Sequence, residues 1–318
     1  MNIGVDIGGT HVRLLLVAED GTVAERQRFR AGRGDPAAVL EAIAGQFQRW
    51  RRAQHEIESL GVACAGWVDV AGRVVHAAPN LGWRHVAVAD VLERSCAMPV
   101  RVENDVNAAL LGEMAMGAAR GERNCVAVFI GTGIGGGFAL DGRLVRGSQG
   151  AAAEVGHDCL DPDGPVCTCG RRGCWEAYSG GTGLMRRARE ALDAGAPSTL
   201  AALPSPTTAE IVAAATAGDG LAQALWSEAR RRSVQGIANL AILLDPGVVV
   251  VGGGVVAANP GLVDELRAAV ASEHSFAGLT RLRVVAAELG DDAACLGMAL
   301  GSRGEGPGAR GQRLGDGG

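Results

Sequence analysis

Three cysteines lie within eight positions of the chain, in the glycine-rich stretch VCTCGRRGCWE. They are Cys167, Cys169 and Cys174, and His157 lies ten residues before the first of them. Three thiolates and one imidazole form the donor set of a closed, tetrahedral Zn²⁺ site with a structural role. A disulfide between two of the cysteines is the alternative, although a reducing compartment disfavours it. Cys159 is a further candidate ligand.

Two carboxylates flank this cysteine segment. Glu154 lies before it and Glu176 directly after it. Each alone would be a solvated surface group. A zinc ion, however, would fix the loop that carries both, and carboxylates on a rigid loop suit the adjacent hydroxyls of a sugar. We therefore interpret the metal as a structural element that positions acceptor groups.

Three glycine clusters each follow an apolar strand, as DIGGT at 6–10, GTGIGGG at 131–137 and GGG at 252–254. Glycine allows backbone N–H groups to approach phosphate oxygens, although each cluster alone is also compatible with a tight turn. Together they predict nucleotide binding. The chain contains no lysine, which excludes the lysine-dependent phosphate loop. The carboxylate of Asp6 is a candidate ligand for Mg²⁺ near the phosphates, or a turn cap.

A further carboxylate, Asp105, stands in RVENDVNAAL, where a strand ends and a helix begins. One reading makes it the N-cap of that helix. The other makes it a general base that takes a proton from a hydroxyl as this hydroxyl attacks a phosphoryl group. The neighbouring Asn104 is placed to bind a polyol hydroxyl.

The elements around these residues predict an α/β fold, because strand patterns alternate with helical ones. A helix is expected at 36–53, and the box Thr207-x-x-Glu210 marks a second helix start. The apolar run at 236–256 is interrupted by Asp-Pro-Gly, which predicts a helix, a turn and a strand rather than a membrane span.

The net charge and the N-terminal sequence argue against a nucleic-acid-binding protein and against a secreted one. The net charge is −5 and the pI about 5.7, so the basic surface of a nucleic-acid-binding protein is not expected. The start MNIGVDIGG lacks the basic region and apolar core of a secretory signal. These features predict a cytoplasmic protein without a membrane partner.

The order and spacing of the motifs resemble the ROK family (repressor, open reading frame, kinase) of bacterial sugar kinases over nearly the whole chain. The matching segments are DIGGT, PNLGW, ENDVNAA, GTGIGGGFALDGRLVRG, GAAAEVGH, CTCGRRGCWE and VVVVGGG. The resemblance implies an actin-like ATPase (ribonuclease H-like) fold, with two α/β domains around a cleft and a zinc-bearing loop at 157–176. It also implies ATP-dependent, Mg²⁺-assisted phosphorylation of a hexose.

By position, the resemblance also implies roles for individual residues, with Asp105 as the catalytic base. The zinc ligands would be His157, Cys167, Cys169 and Cys174. The sugar-contacting residues would be Asn80, Asn104, Asp105, Glu154, His157 and Glu176, with His157 using its second ring nitrogen. The nucleotide-contacting residues would be Gly9, Thr10, Thr132, Gly133 and Gly253, beside Asp6.

The expected domains are 1–108 plus a returning last helix at about 292–303, and 109–291. A flexible tail is expected at 304–318. A homodimer or homotetramer would be ordinary for the family.

The cysteine segment is most similar to glucokinases of high-GC bacteria, which favours glucose. Kinases of N-acetylmannosamine, N-acetylglucosamine or allose are the alternatives. A sugar sensor without catalysis is the non-enzyme alternative. Because DIGGT starts at residue 6, we do not expect the DNA-binding helix-turn-helix of the family's repressors. Two departures are His11 in place of the family's lysine, and GVACAGWVD at 61–69 in place of a glycine-proline turn near the sugar.

Overall fold

The computed structural model describes residues 1–272 and 281–301 of the 318-residue chain. The chain divides into two compact units. Unit 1 comprises Met1–Ala115 and the described residues from Asp292 onward, and unit 2 comprises Met116–Asp291. The flexible tail expected at 304–318 lies outside the described residues. No helix in the described part of the chain is long and apolar enough to span a membrane.

Unit 1 contains a five-stranded mixed sheet. Its strands are β1 (Asn2–Ile7), β2 (His11–Val17), β3 (Val23–Arg30), β4 (Ser59–Cys64) and β8 (Val100–Asn104). They follow the order β3-β2-β1-β4-β8, in which β2 is antiparallel to β1 and β3 while β1, β4 and β8 run parallel. The carboxyl ends of the parallel strands share one edge, where ligands bind in open α/β sheets.

Helices cover both faces of this sheet. They are α1 (Pro36–Arg52), α2 (Val88–Cys96), α3 (Asp105–Met116) and α10 (Ala293–Leu300). The start of α1 agrees with the expected boundary because Pro36 occupies its first position and the Asp35 carboxylate accepts the Ala38 N–H at 3.0 Å. The apolar face of α1 joins the core on one side of the sheet.

The opposite face of the sheet is covered by α10 at very short range. A Cβ on Gly4 would lie 2.6 Å from the carbonyl carbon of Cys295, and one on Gly61 would lie 2.6 Å from the Met298 oxygen. Glycine is therefore required at both positions, since any side chain would push the helix off the sheet.

A small antiparallel sheet completes unit 1. It contains β5 (Trp67–Val68), β6 (Val75–Ala78) and β7 (Trp83–Val86), in that order. The turn between β6 and β7 is closed by the Leu81 N–H, which donates to the Ala78 carbonyl at 3.0 Å. The Leu81 carbonyl accepts the Gly34 N–H at 2.7 Å, which attaches the turn to the segment before α1.

Unit 2 has a second five-stranded sheet, in the order β11-β10-β9-β12-β13. Its strands are β9 (Cys125–Ile130), β10 (Ile134–Leu140), β11 (Arg143–Leu144), β12 (Val248–Gly252) and β13 (Arg283–Ala286). A hairpin joins β9 to β10, and β12 runs parallel to β9 and β13. The parallel pair places the residues after Ile130 and Gly252 at one edge.

Six α-helices are described in unit 2. They are α4 (Trp175–Ser179), α5 (Gly181–Asp193), α6 (Thr208–Thr216), α7 (Gly220–Leu244), α8 (Gly254–Ala257) and α9 (Leu262–Ser272). The predicted capping box is present at the start of α6, with reciprocal bonds between Thr207 and Glu210. As predicted, the apolar run at 236–256 is a helix, a turn and a strand, because α7 ends at Leu244 and β12 begins at Val248.

Candidate functional site

The four predicted metal ligands of unit 2 lie together. The donor atoms of His157, Cys167, Cys169 and Cys174 are all within 4.8 Å of one another. His157 Nδ1 is 3.6 Å from Cys167 Sγ, and the sulfur atoms of Cys169 and Cys174 are 3.7 Å apart. The ring nitrogen that faces the cluster is therefore Nδ1, and Nε2 is the nitrogen that remains for another partner.

These separations fit a tetrahedral zinc site. With Zn–N near 2.05 Å and Zn–S near 2.3 Å, a tetrahedron has edges of about 3.6 Å for N···S and about 3.8 Å for S···S. The disulfide alternative is wrong, because all eight cysteines are free thiols. Cys159 lies outside the cluster, and its thiol donates to the Arg172 carbonyl at 3.4 Å.

Backbone bonds shape the loop that carries the cysteines. The Cys167 N–H donates to the Arg171 carbonyl at 2.7 Å, and the Gly170 N–H donates back to the Cys167 carbonyl at 3.0 Å. Gly170 adopts a φ of +88°, a conformation that glycine tolerates without strain. The loop continues into Trp175, which is fully buried and whose indole N–H donates to Ser233 Oγ at 3.3 Å.

The carboxylate of Glu176 joins the cysteine loop to the glycine cluster at 131–137. Its Oε2 accepts the Ile134 N–H at 2.9 Å, and its Oε1 accepts the Thr168 hydroxyl at 3.1 Å. A Cβ on Gly133 would overlap Oε2 and lie 3.0 Å from Cδ of the same carboxylate. Gly133 therefore allows the glutamate to reach the backbone beside it.

The other flanking carboxylate, Glu154, lies in the same electrostatic environment. Glu154 is exposed at the surface, but the protein around its carboxylate removes enough water to raise its pKa. The nearby His157 lowers the pKa, whereas the negative charge of Glu176 raises it further. The two predicted sugar-binding glutamates are thus close enough to interact.

The other predicted nucleotide-contacting positions of unit 2 lie at the edge of the sheet where β9 and β12 end. The carbonyls of Gly131 and Thr132 each accept an N–H at 2.9 Å, from Gly181 and Thr182 at the start of α5. Gly253 has a φ of +94°, and a Cβ there would lie 2.7 Å from the backbone nitrogen of Ile130. Only glycine fits this position.

In unit 1, the N-cap reading of Asp105 is wrong. Asp105 is the first residue of α3, and the cap is Asn104, whose Oδ1 accepts the N–H groups of Val106 at 2.9 Å and Asn107 at 3.1 Å. The Asn104 amide also donates to the Gly66 carbonyl at 3.1 Å. Much of its hydrogen-bonding capacity is therefore used within the protein, which leaves one amide hydrogen for a ligand.

Asp6 and Asp105 both lie near one buried thiol. Burial raises the pKa of Cys64, and the negative charges of Asp105 and Asp6 raise it further. Asp6 also forms an ion pair with Arg13, whose Nη1 lies 3.2 Å from Oδ2. Arg13 is not among the residues predicted from the sequence, although its position opposite Asp6 follows from the pairing of β1 with β2.

The DIGGT turn contacts the turn that contains Asn80. A Cβ on Gly9 would lie 3.0 Å from the Asn80 Cβ. The Gly8 N–H donates to the His11 carbonyl at 3.0 Å, and the Thr10 carbonyl accepts the Ala31 N–H at 3.0 Å. Gly9 and Asn80, which were assigned to different ligands, are thus neighbours within unit 1.

Comparisons with known proteins agree with these features. Residues 2–303 match the model of the ROK family. Among curated proteins, the glucokinase of Streptomyces coelicolor is 36% identical over 308 residues, which cover 94% of this chain and 96% of that protein. The N-acetylmannosamine kinase of Yersinia pestis is 31% identical, with coverage of 95% and 98%.

Solved structures show the same architecture. The ROK hexokinase of Thermus thermophilus superposes with a TM-score of 0.83 at 34% identity, covering 94% of this chain and 96% of that one. The ROK family glucokinase of Streptomyces griseus, solved in complex with glucose and AMPPNP, has a TM-score of 0.76 at 35% identity, with coverage of 94% and 97%.

Proposed function

The chain belongs to the ROK family, and we propose that it is a cytoplasmic, ATP-dependent hexose kinase that converts glucose to glucose 6-phosphate with Asp105 as general base. The observation that carries the role of Asp105 is the capping of α3 by Asn104. The carboxylate of Asp105 is thereby not needed to cap the helix that it opens. The match to a glucokinase solved with glucose and an ATP analogue supports the substrates.

The proposed reaction is an in-line transfer. The acceptor hydroxyl oxygen attacks the γ-phosphorus, the bond between that phosphorus and the bridging oxygen breaks, and ADP leaves with the electron pair. The hydroxyl proton passes to the Asp105 carboxylate. A carboxylate suffices as base because this proton becomes acidic only as the new P–O bond forms. The first turn of α3 also favours the negative charge of Asp105 before the transfer.

Nucleotide binding is assigned to the glycine clusters. In the proposal, the backbone around Gly9, Thr10, Thr132, Gly133 and Gly253 contacts ATP. Mg²⁺ would supply charge neutralisation at the phosphates, and Asp6 would hold it, directly or through water. The ion pair with Arg13 orients the Asp6 carboxylate, and its guanidinium adds positive charge to a chain without lysine.

Zinc is assigned to the cluster of His157, Cys167, Cys169 and Cys174 because the distances between their donor atoms fit a tetrahedral zinc site. Four protein ligands would close the coordination sphere, so the ion would have a structural rather than a catalytic role. Asn80, Asn104, Glu154, His157 and Glu176 are proposed to contact the sugar. Homodimers or homotetramers stay a prediction.

N-acetylmannosamine is the second candidate acceptor, because a kinase of this sugar is 31% identical over nearly the whole chain. The two sugars differ at C2, and discrimination there depends on whether a buried polar group loses its partner.

The test is an ADP-release assay with ATP and Mg²⁺ across glucose, mannose, allose, N-acetylglucosamine and N-acetylmannosamine. We expect glucose to have the highest kcat/KM. Asp105→Asn should lower kcat by roughly 10²–10⁴-fold while sugar binding, measured by calorimetry, is retained. A higher kcat/KM for N-acetylmannosamine than for glucose would show that N-acetylmannosamine is the substrate. Sugar binding without turnover in the unaltered protein would favour the sensor.

A further inference from the structure

Three aromatic side chains lie together on the small sheet of unit 1. The ring of Trp67 lies 4.6 Å from that of His76, and the rings of His76 and His85 meet edge to face with 5.4 Å between centroids. Val75 pairs with Val86 and Ala77 with Arg84, so His76 and His85 are opposite each other across β6 and β7. Opposed residues of antiparallel strands project from the same face of a sheet.

The two imidazoles face each other through the same type of atom. His76 Nδ1 and His85 Nδ1 are 3.4 Å apart. This separation is long for a hydrogen bond, for which about 2.9–3.0 Å is usual. It also matches the separation of two imidazole nitrogens bound to one tetrahedral zinc ion, which is about 3.3–3.4 Å.

The backbone of His85 contributes to this arrangement. Its φ is +50°, in the left-handed region that few residues other than glycine adopt. Such conformations persist when surrounding contacts impose them, and they concentrate at functional sites. The His85 side chain is exposed, and Trp67 is 39% exposed beside His76, so an ion has access from solvent.

We infer that His76 and His85 form a second metal site, which takes a divalent transition ion of the zinc class through the two Nδ1 atoms and completes its coordination with water. Imidazole is a preferred ligand of such ions. The site differs from the His157–Cys₃ cluster in both residues and unit. Two protein ligands make it a weaker, exchangeable site rather than a permanent structural one.

The position of the pair connects it to the proposed sugar-binding residues, and this step rests on the proposed function. The turn from β6 to β7 contains Asn80, and an ion shared by His76 and His85 would cross-link the two strands that lead into it. On the other side, Trp67 follows Gly66, whose carbonyl holds the Asn104 amide. The bound ion therefore stiffens the Asn80 turn, and preorganisation of a binding group lowers the KM for the sugar.

The first experiment counts zinc in the intact protein. Samples are dialysed against increasing free Zn²⁺, and bound zinc per chain is measured by mass spectrometry. We expect a rise from about one to about two ions per chain, the first in the cysteine cluster. His76→Gln and His85→Asn should stop at about one. Asparagine is chosen at His85 because it tolerates a left-handed backbone, so the variant should fold.

The matched control is His55→Gln, which removes a histidine paired with Glu25 at 3.3 Å in another part of unit 1. It should take up the second ion like the unaltered protein. A count that stays at one in the unaltered protein, or a second ion retained by His76→Gln, would overturn the site.

The second experiment measures the KM for the sugar with and without a weak chelator that removes only the exchangeable ion. Bound Zn²⁺ should lower KM by about threefold or more in the unaltered protein and leave His76→Gln unchanged. Equal KM values would overturn the link to the Asn80 turn. A protein without kinase activity would refute the proposed function alone, since the zinc count does not depend on turnover.

Discussion

Replacement of Gly133 by alanine tests how the Glu176 carboxylate is held. The three heavy atoms nearest to a Cβ at Gly133 all belong to Glu176, with Cδ at 3.0 Å and Oε2 inside that distance. The carboxylate must therefore move. It would lose its bond from the Ile134 N–H at 2.9 Å and weaken the one from Thr168 at 3.1 Å.

The expected cost follows from these two bonds. Hydrogen bonds to a charged group contribute about 1.5–3 kcal/mol each. Loss of one bond and weakening of the other should lower the free energy of unfolding by about 3 kcal/mol, which shifts the denaturant midpoint measurably. Gly220→Ala is the control, because a Cβ there meets no heavy atom within 4 Å. It should leave the midpoint unchanged or raise it slightly.

A double-mutant cycle isolates the cause. Glu176→Ala removes the carboxylate, so Gly133→Ala should cost little in that background, with a coupling energy of about 3 kcal/mol. Additive costs would show that the alanine clashes with something other than the carboxylate, and the reasoning would be refuted. The same variants should lower kcat/KM, because the glycine cluster and the sugar-binding glutamate shift together.

Three further variants test other parts of the structure. Cys169→Ser should lower zinc from about one ion per chain and speed tryptic cleavage at Arg171 and Arg172; retained zinc would contradict the four-ligand assignment. Asn104→Ala should lower the free energy of unfolding by about 1–2 kcal/mol through loss of the α3 cap, whereas Asn104→Asp should retain most of it; equal losses would argue against capping. Hydrogen bonds, first from the Ala222 N–H and then from Thr199 and Ser198, lower the pKa of Asp219 to about 2. Its contribution to stability is therefore present above its ordinary pKa of about 4 and is lost as the pH falls toward 2. Asp219→Ala should be less stable by about 1 kcal/mol at pH 7, with a difference that shrinks below pH 4 in denaturation curves; a difference independent of pH would contradict the assignment.

The zinc ligands were predictable from sequence because three of the four lie within eight positions, where the chain cannot separate them far. The role of Asp105 at its helix was not predictable, because a cap one residue earlier gives the same sequence pattern. Asn104 and Asp105 are both good N-cap residues, and only the bonds to Val106 and Asn107 distinguish them.

The exact register between neighbouring strands was also not predictable from the sequence. Arg13 meets Asp6 only because β1 and β2 pair in that register. The sheet that brings His76 to His85 consists of strands of two to four residues, too short to show an alternating pattern. Short elements that depend on tertiary contacts, such as α4, were missed for the same reason.

The position of Thr168 explains why a metal cluster would sit beside a sugar-binding carboxylate. Thr168 lies between two proposed ligands, and Glu176 follows the last one by two residues. A metal ion that fixes Cys167, Cys169 and Cys174 therefore also fixes the donor and the acceptor of the bond between Thr168 and Glu176. With Oε1 held by Thr168 and Oε2 by the Ile134 N–H, the carboxylate is oriented without any ligand. Each carboxylate oxygen can accept more than one hydrogen bond, so a sugar hydroxyl can bind without displacing either partner. The entropic cost of ordering Glu176 is therefore incurred when the protein folds and not when the sugar binds.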